Sequence, residues 1–220
     1  MDTLIRFFQD GGVFMYPIAV ILVIGLSIAI ERLLSISSAK RKNRKAFDDM
    51  LPMIQRKDYK AALKYAGQSD SDIANIYGAG IARMPVSNRR EDIEYAMEEG
   101  LMETTPKLEK RTGYIGTLAN ISTLMGLLGT IIGLIAAFTA VATAAPSEKA
   151  TLLSQSISVA MNTTAFGLIS AIPLLLAHTI LQSRTAEIID SLEMATVKFL
   201  NLITERKATP QTSAAPKVAK

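Results

Sequence analysis

Apolar and polar positions are gathered into blocks along this chain rather than interleaved. Residues 112–147 and 150–183 carry no formal charge, and only Glu148 and Lys149 stand between them. A third block, residues 13–30, is almost continuously apolar. A helix needs about 20 residues to cross a hydrocarbon core of about 30 Å. Each block therefore predicts a membrane-spanning helix, and the two longer blocks predict a hairpin whose helices overshoot the lipid. The expected fold class is all-α: an integral membrane protein with three transmembrane helices, two of them long and extending into the cytoplasm, plus a cytoplasmic helical segment.

The intervening stretches have a different pattern. Residues 1–12 are short and amphipathic (Leu4, Ile5, Phe7, Phe8) and are expected to lie along the outer interface. The first span is placed at residues 13–34, with Pro17 near its start, where a missing N–H costs least. It is read as uncleaved, because Asp2, Arg6 and Asp10 precede it instead of a basic tract. Residues 35–111 predict a cytoplasmic helical domain. Apolar residues recur there at helical spacing: Phe47, Met50, Leu51, Ile54; then Ala61, Ala62, Leu63, Tyr65, Ala66; then Ile73, Ile76, Tyr77, Ile81. Gly67, Pro85 and Asn88 mark breaks, and Asn88 through Glu91 fits a helix start. Pro106 is a candidate kink in a helix that feeds the second span, at residues 112–145. A turn at 146–149 leads to the third span at 150–183. The apolar period at Ile188, Ile189, Leu192, Ala195, Val197, Leu200 and Ile203 carries that helix on through 184–206. Residues 207–220 read as a disordered tail.

Charge then sets the expected orientation. Arg32, Lys40, Arg41, Lys42, Arg44 and Lys45 follow the first span, Lys107, Lys110 and Arg111 precede the second, and Arg184 follows the third. The tail before span one and the turn at 146–149 hold one basic residue each. By the positive-inside rule the N-terminus is outside and the C-terminus inside. The basic cluster Lys40, Arg41, Lys42, Arg44 and Lys45 is expected at the lipid headgroups. A topology anchor is the simpler reading and a specific anionic-lipid site the sharper one. The chain has 220 residues, 49% of them hydrophobic, no cysteine and a net charge of +4. Without cysteine there is neither a disulfide framework nor a thiolate metal site. Thirteen acidic and sixteen basic residues are mixed across 31–111, which describes a solvated surface and makes no case for nucleic acid.

The hairpin itself is polar without charge. Gly126, Gly129 and Gly133 fall at steps of three and four and share a face, so another helix can approach closely. In span three Thr163, Gly167 and Ala171 repeat that logic at steps of four, and Pro173 is expected to kink or loosen the helix. Thr130 lies sixteen residues before Pro146 and Thr164 eighteen after it, so both are roughly 25 Å from the turn. Asn162 and Thr163 add polar atoms at that depth. These four residues are the candidate ion-path site, against the simpler reading in which threonines bond their own backbone and glycines only pack. No Asp, Glu, Lys or Arg lies inside a span; Glu31 and Arg32 sit at the inner edge, expected to snorkel or pair, and His178 is expected to be interfacial. A proton path across lipid needs a titratable group within it, so another chain would have to bring the carboxylate.

These residues resemble the MotA/TolQ/ExbB proton-channel family. The resemblance rests on Gly126-Leu-Leu-Gly-Thr-Ile-Ile-Gly-Leu in span two and Ile157-Ser-Val-Ala-Met-Asn-Thr-Thr-Ala-Phe-Gly-Leu-Ile-Ser-Ala-Ile-Pro173 in span three. Glu31-Arg32-Leu33 fits it too, and three spans match the ExbB/TolQ branch. The resemblance implies a homopentameric ring in the inner membrane around the single helices of two ExbD- or TolR-like partners. Each partner helix would carry an aspartate facing Thr130 and Thr164, and ion passage would power a periplasmic or outer-membrane process. The transported ion would be H⁺, with Na⁺ the alternative; no other cofactor is implied. Where ExbB and TolQ often carry Glu, this chain has Val159. The alternative function is a non-conducting scaffold that clamps partner helices. A solute transporter is disfavoured because no inverted repeat is visible. An enzyme is disfavoured because no nucleophile–base pair, metal cluster or phosphate loop appears, so no catalytic or metal-ligating residue is assigned.

Overall fold

The computed structural model describes residues 11–87 and 89–205. The expectations for residues 1–10, the cap at Asn88 and the tail from residue 206 fall outside the described residues. Six helices follow one another: α1 Met15–Gln55, α2 Tyr59–Gln68, α3 Asp72–Arg83, α4 Arg90–Glu109, α5 Thr112–Thr143 and α6 Lys149–Glu205. No strand occurs among the described residues. Three helical stretches are long and apolar enough to cross a membrane: within α1, within Arg90–Thr143 and within α6. The chain is a multi-pass, all-α membrane protein.

Two helices run further than their apolar blocks. The first does not stop at residue 34 but continues to Gln55: the basic tract after it is made mostly of good helix formers, and Pro52 falls only in the last turn. The third continues to Glu205 and passes Pro173 without interruption. Pro106 likewise sits inside α4. Between α4 and α5 the chain turns at Arg111, which is left-handed with φ 65°. Lys57, with φ 61°, makes a similar turn after α1, and Asp58 caps α2 by accepting from Ala61 N at 3.0 Å.

The helices form two compact units. One comprises Met1–Ile36 and Glu109–Arg184, the other Ser37–Leu108 and Thr185–Lys220. In the first, the α5–α6 hairpin buries a line of small side chains and exposes many large ones, although Met15, Ile18, Ile115 and Leu174 are buried as well. Gly116, Ala119, Ser122, Gly126, Gly129, Ala160, Thr163, Gly167 and Ala171 are buried, while Leu124, Leu127, Ile135, Phe138, Ile169 and Leu176 are exposed. That inversion suits lipid, which competes for large apolar groups as well as a protein core does, so close backbone packing decides the association.

The second unit has the core of a water-soluble bundle: Met50, Ile54, Ile76, Tyr77, Met97, Leu192 and Phe199 are all buried. Of the positions predicted by period, Ala62, Ala66, Ile73, Ile76, Tyr77 and Ile81 are buried and Leu63 is exposed. Tyr77 stacks on Phe199 with ring centroids 5.0 Å apart and donates to Ala195 O at 3.0 Å. Burial pushes its phenol well above the usual range. Asn43 of α1 holds the start of α3: its Nδ2 donates to Asp72 Oδ2 at 2.9 Å and its Oδ1 accepts from Ile73 N at 3.3 Å.

Candidate functional site

The glycine line of α5 meets the small-residue line of α6 inside the same subunit. A Cβ on Gly126 would lie 3.2 Å from Gly167 Cα and 3.3 Å from Thr164 Cα. One on Gly133 would lie 2.8 Å from Ala160 Cβ, and one on Gly129 would overlap Thr163. So the small residues seat the two halves of one hairpin against each other. Two hydrogen bonds cross that seam. Thr164 Oγ1 donates to Gly126 O at 2.8 Å, and Ser122 Oγ donates to Gly167 O at 3.3 Å. Both acceptors are glycine carbonyls, which the absent side chains leave open to approach.

The same pairing fixes the relative level of the candidate residues. Gly126 faces Thr164 and Gly133 faces Ala160. Thr130, between those glycines, is therefore level with the residues between Ala160 and Thr164, within about one turn, ~5 Å, of Thr164. Asn162, half-buried, lies in that interval. Thr130 Oγ1 donates to Leu127 O at 2.6 Å in its own helix. Both threonine hydroxyls thus spend their protons on main-chain carbonyls, which leaves lone pairs on each oxygen as acceptors.

Thr163 is placed differently. It is buried, and its hydroxyl lies 2.6 Å from Gly11 O and 2.9 Å from Val159 O. It ties α6 to the turn before α1, where Gly12 takes φ 73°, a conformation open to glycine at little cost. A Cβ on Gly12 would lie 3.1 Å from Val159 Cγ1. Val159 therefore packs beside that turn as an apolar neighbour. Sequence reasoning did not foresee this contact, because nothing local marks residues 11 and 12 as partners of α6.

The remaining singled-out residues also have definite places. Gly167 and Ala171 are buried, and Pro173 is exposed on α6. His178 is half-buried with its ring over Gly116, where a Cβ would come within 3.2 Å of Cε1 and Nε2. Glu31 pairs with Arg111 at 3.3 Å, and Arg32 is buried. Lys40, Arg41, Lys42, Arg44 and Lys45 are all exposed on α1, and Lys40 pairs with Glu187 at 2.6 Å. Among the described residues no three His, Asp or Glu side chains gather as a metal site would require.

Residues 68–194, more than half of the chain, match the profile of the MotA/TolQ/ExbB proton channel family. The chain belongs to that family. Among its relatives in the MotA/TolQ/ExbB family is a putative biopolymer transport protein ExbB homolog of Methanothermobacter thermautotrophicus. It is 26% identical over 196 residues, covering 87% of this chain and 67% of the relative. A putative biopolymer transport protein ExbB-like 3 of Synechocystis is 24% identical over 174 residues, 79% of this chain and 82% of the relative. Biopolymer transport protein exbB1 of Vibrio cholerae is 26% identical over 207 residues, 92% of this chain and 89% of the relative.

Proposed function

We propose that this chain is the ring subunit of an ion-driven inner-membrane motor that powers a periplasmic or outer-membrane transport process. In this reading it is ExbB/TolQ-like, forms a homopentamer, and encloses a dimer of ExbD/TolR-like single-span partners that carry the proton-accepting aspartate. The N-terminus is periplasmic and the C-terminus cytoplasmic, as the basic residues after span one ask. Thr130, Thr164 and Asn162 line the ion path, and Thr163 is assigned to packing.

One observation carries the reading. The hairpin brings hydroxyl oxygens to nearly one level in spans that contain no carboxylate of their own. With their protons on Leu127 O and Gly126 O, these oxygens are oriented acceptors. An oxygen of that kind takes a hydrogen bond from a protonated carboxylic acid or hydronium, or coordinates a partly dehydrated cation, without trapping it as a fixed charge would. H⁺ is the assigned ion and Na⁺ the alternative.

The test is ion flux into liposomes that hold this chain with an aspartate-bearing partner. Thr130→Val and Thr164→Val should abolish flux while the complex still assembles. A sodium gradient replacing a proton gradient identifies the ion. Full flux in both variants overturns the ion-path assignment. A second reading, a scaffold that clamps partner helices without conducting, is favoured by the same hydroxyl protons being committed to the main chain. Absence of flux from an intact wild-type complex would select it.

A further inference from the structure

In the unit formed by Ser37–Leu108 and Thr185–Lys220, a cavity of about 260 Å³ opens between α1, the start of α3 and α6. Phe47, Ile73, Ile188 and Leu192 give it an apolar lining, and Lys40, Arg44 and Lys198 stand around it. Glu187 neutralises Lys40 at 2.6 Å. Lys198 lies over the Phe47 ring, 5.7 Å from its centroid. Among the described residues neither Arg44 nor Lys198 makes an ion pair. The slot is below the ~300–1,000 Å³ of ordinary small-ligand pockets and suits one large side chain. Its apolar lining and its two uncompensated cations ask for an apolar anchor flanked by acids.

The same chain carries that shape elsewhere. On α4, Tyr95 and Met102 are 67% and 71% exposed, and Glu98, Glu99 and Glu103 are exposed between and beside them. Steps of three and four put all five on one face. Ile93 and Met97, buried on the opposite face, hold that face outward. None of the three glutamates makes an ion pair among the described residues. Aromatic anchors ringed by polar groups are what interface centres bury.

We propose that the α4 ridge of one copy docks into the α1–α6 cavity of the next, with Tyr95 seated against Phe47 and Glu98 and Glu99 facing Arg44 and Lys198. The ridge and the cavity share no residue, so every copy gives one and receives one. That is a heterologous contact, the kind that closes into a ring. The inference rests on the ring reading above and adds which cytoplasmic surfaces mate.

The chain has no cysteine, so introduced cysteines report only on themselves. Ala96→Cys with Met194→Cys should give a ladder of cross-linked subunits on treatment of the full-length detergent-solubilised protein with a short bis-maleimide. Each single variant should give none. Adding Tyr95→Ala should cut the yield about tenfold, the loss of one modest interface anchor. Glu98→Lys with Glu99→Lys should cut it similarly, and adding Arg44→Glu with Lys198→Glu should restore it. An assembly of native mass without the double-cysteine ladder, or a ladder indifferent to Tyr95→Ala and to charge reversal, overturns this interface and leaves the ring reading standing. Cross-linking to a different protein overturns it equally. A wild-type protein that is monomeric by mass overturns both.

Discussion

Gly167→Ala is the sharpest test of how the hairpin is held. The new methyl would sit 2.9 Å from Ser122 O and 3.0 Å from Gly126 Cα. Both are backbone atoms, so no rotamer change relieves the overlap; α5 and α6 must part by roughly 0.5–1 Å to reach ordinary contact distances of about 3.5–4.0 Å. Overpacking of this kind costs about 1–3 kcal/mol. Separation also stretches Thr164 Oγ1···Gly126 O from 2.8 Å and Ser122 Oγ···Gly167 O from 3.3 Å. Interhelical hydrogen bonds in membranes contribute about 0.6 kcal/mol each. Alanine's better helix propensity returns up to about 1 kcal/mol, so the expected loss is about 1–3 kcal/mol, read as a lower midpoint in reversible denaturation of the protein in mixed micelles. Gly113→Ala is the control, since nothing lies within 4 Å of the position its Cβ would take. Inside a helix it should be neutral or stabilising by up to about 1 kcal/mol. Equal midpoints for Gly167→Ala and wild type would refute the claim that backbone contact sets the spacing of α5 and α6.

Thr163→Val should destabilise by about 1 kcal/mol because it withdraws the hydrogen bond to Gly11 O inside the subunit. Thr130→Val, which loses only a bond within its own turn, should leave the same midpoint nearly unchanged. Tyr77→Phe should cost about 1 kcal/mol at neutral pH through the lost bond to Ala195 O. Folding raises the Tyr77 pKa, so its contribution is complete below the ordinary phenol range near 10 and is lost as pH rises beyond it. Denaturation at pH 8 and pH 11 should accordingly show the wild type losing its advantage over Tyr77→Phe. Lys57→Gly should stabilise by about 1 kcal/mol, because glycine adopts the left-handed turn after α1 without the Cβ penalty that lysine bears. An unchanged midpoint would mean that the turn is not strained.

The uncharged blocks were enough to specify three spans, since burial of charge in lipid is costly wherever the helix sits. The helical period was likewise enough to mark Ile73, Ile76, Tyr77 and Ile81 as core, because one face of a helix must turn away from water. The glycine spacing announced a close helix contact, and the motif text announced the family. Each of these is a property of composition or local period. Local pattern could not say where Thr163 and Thr164 point, because neighbours on a helix diverge by about 100° and only the partner helix selects the inner face. Nor could it tie Gly11 to Thr163, or aim Val159 at Gly12, across so many intervening residues. Tertiary packing decided that the glycine seam is internal to one subunit, that Thr163 belongs to it, and that among the described residues the ridge on α4 and the cavity beside α6 are uncovered. The reason is that a hydrogen bond or an overlap is a distance between two elements, and a sequence read along one strand of chain contains no such distance.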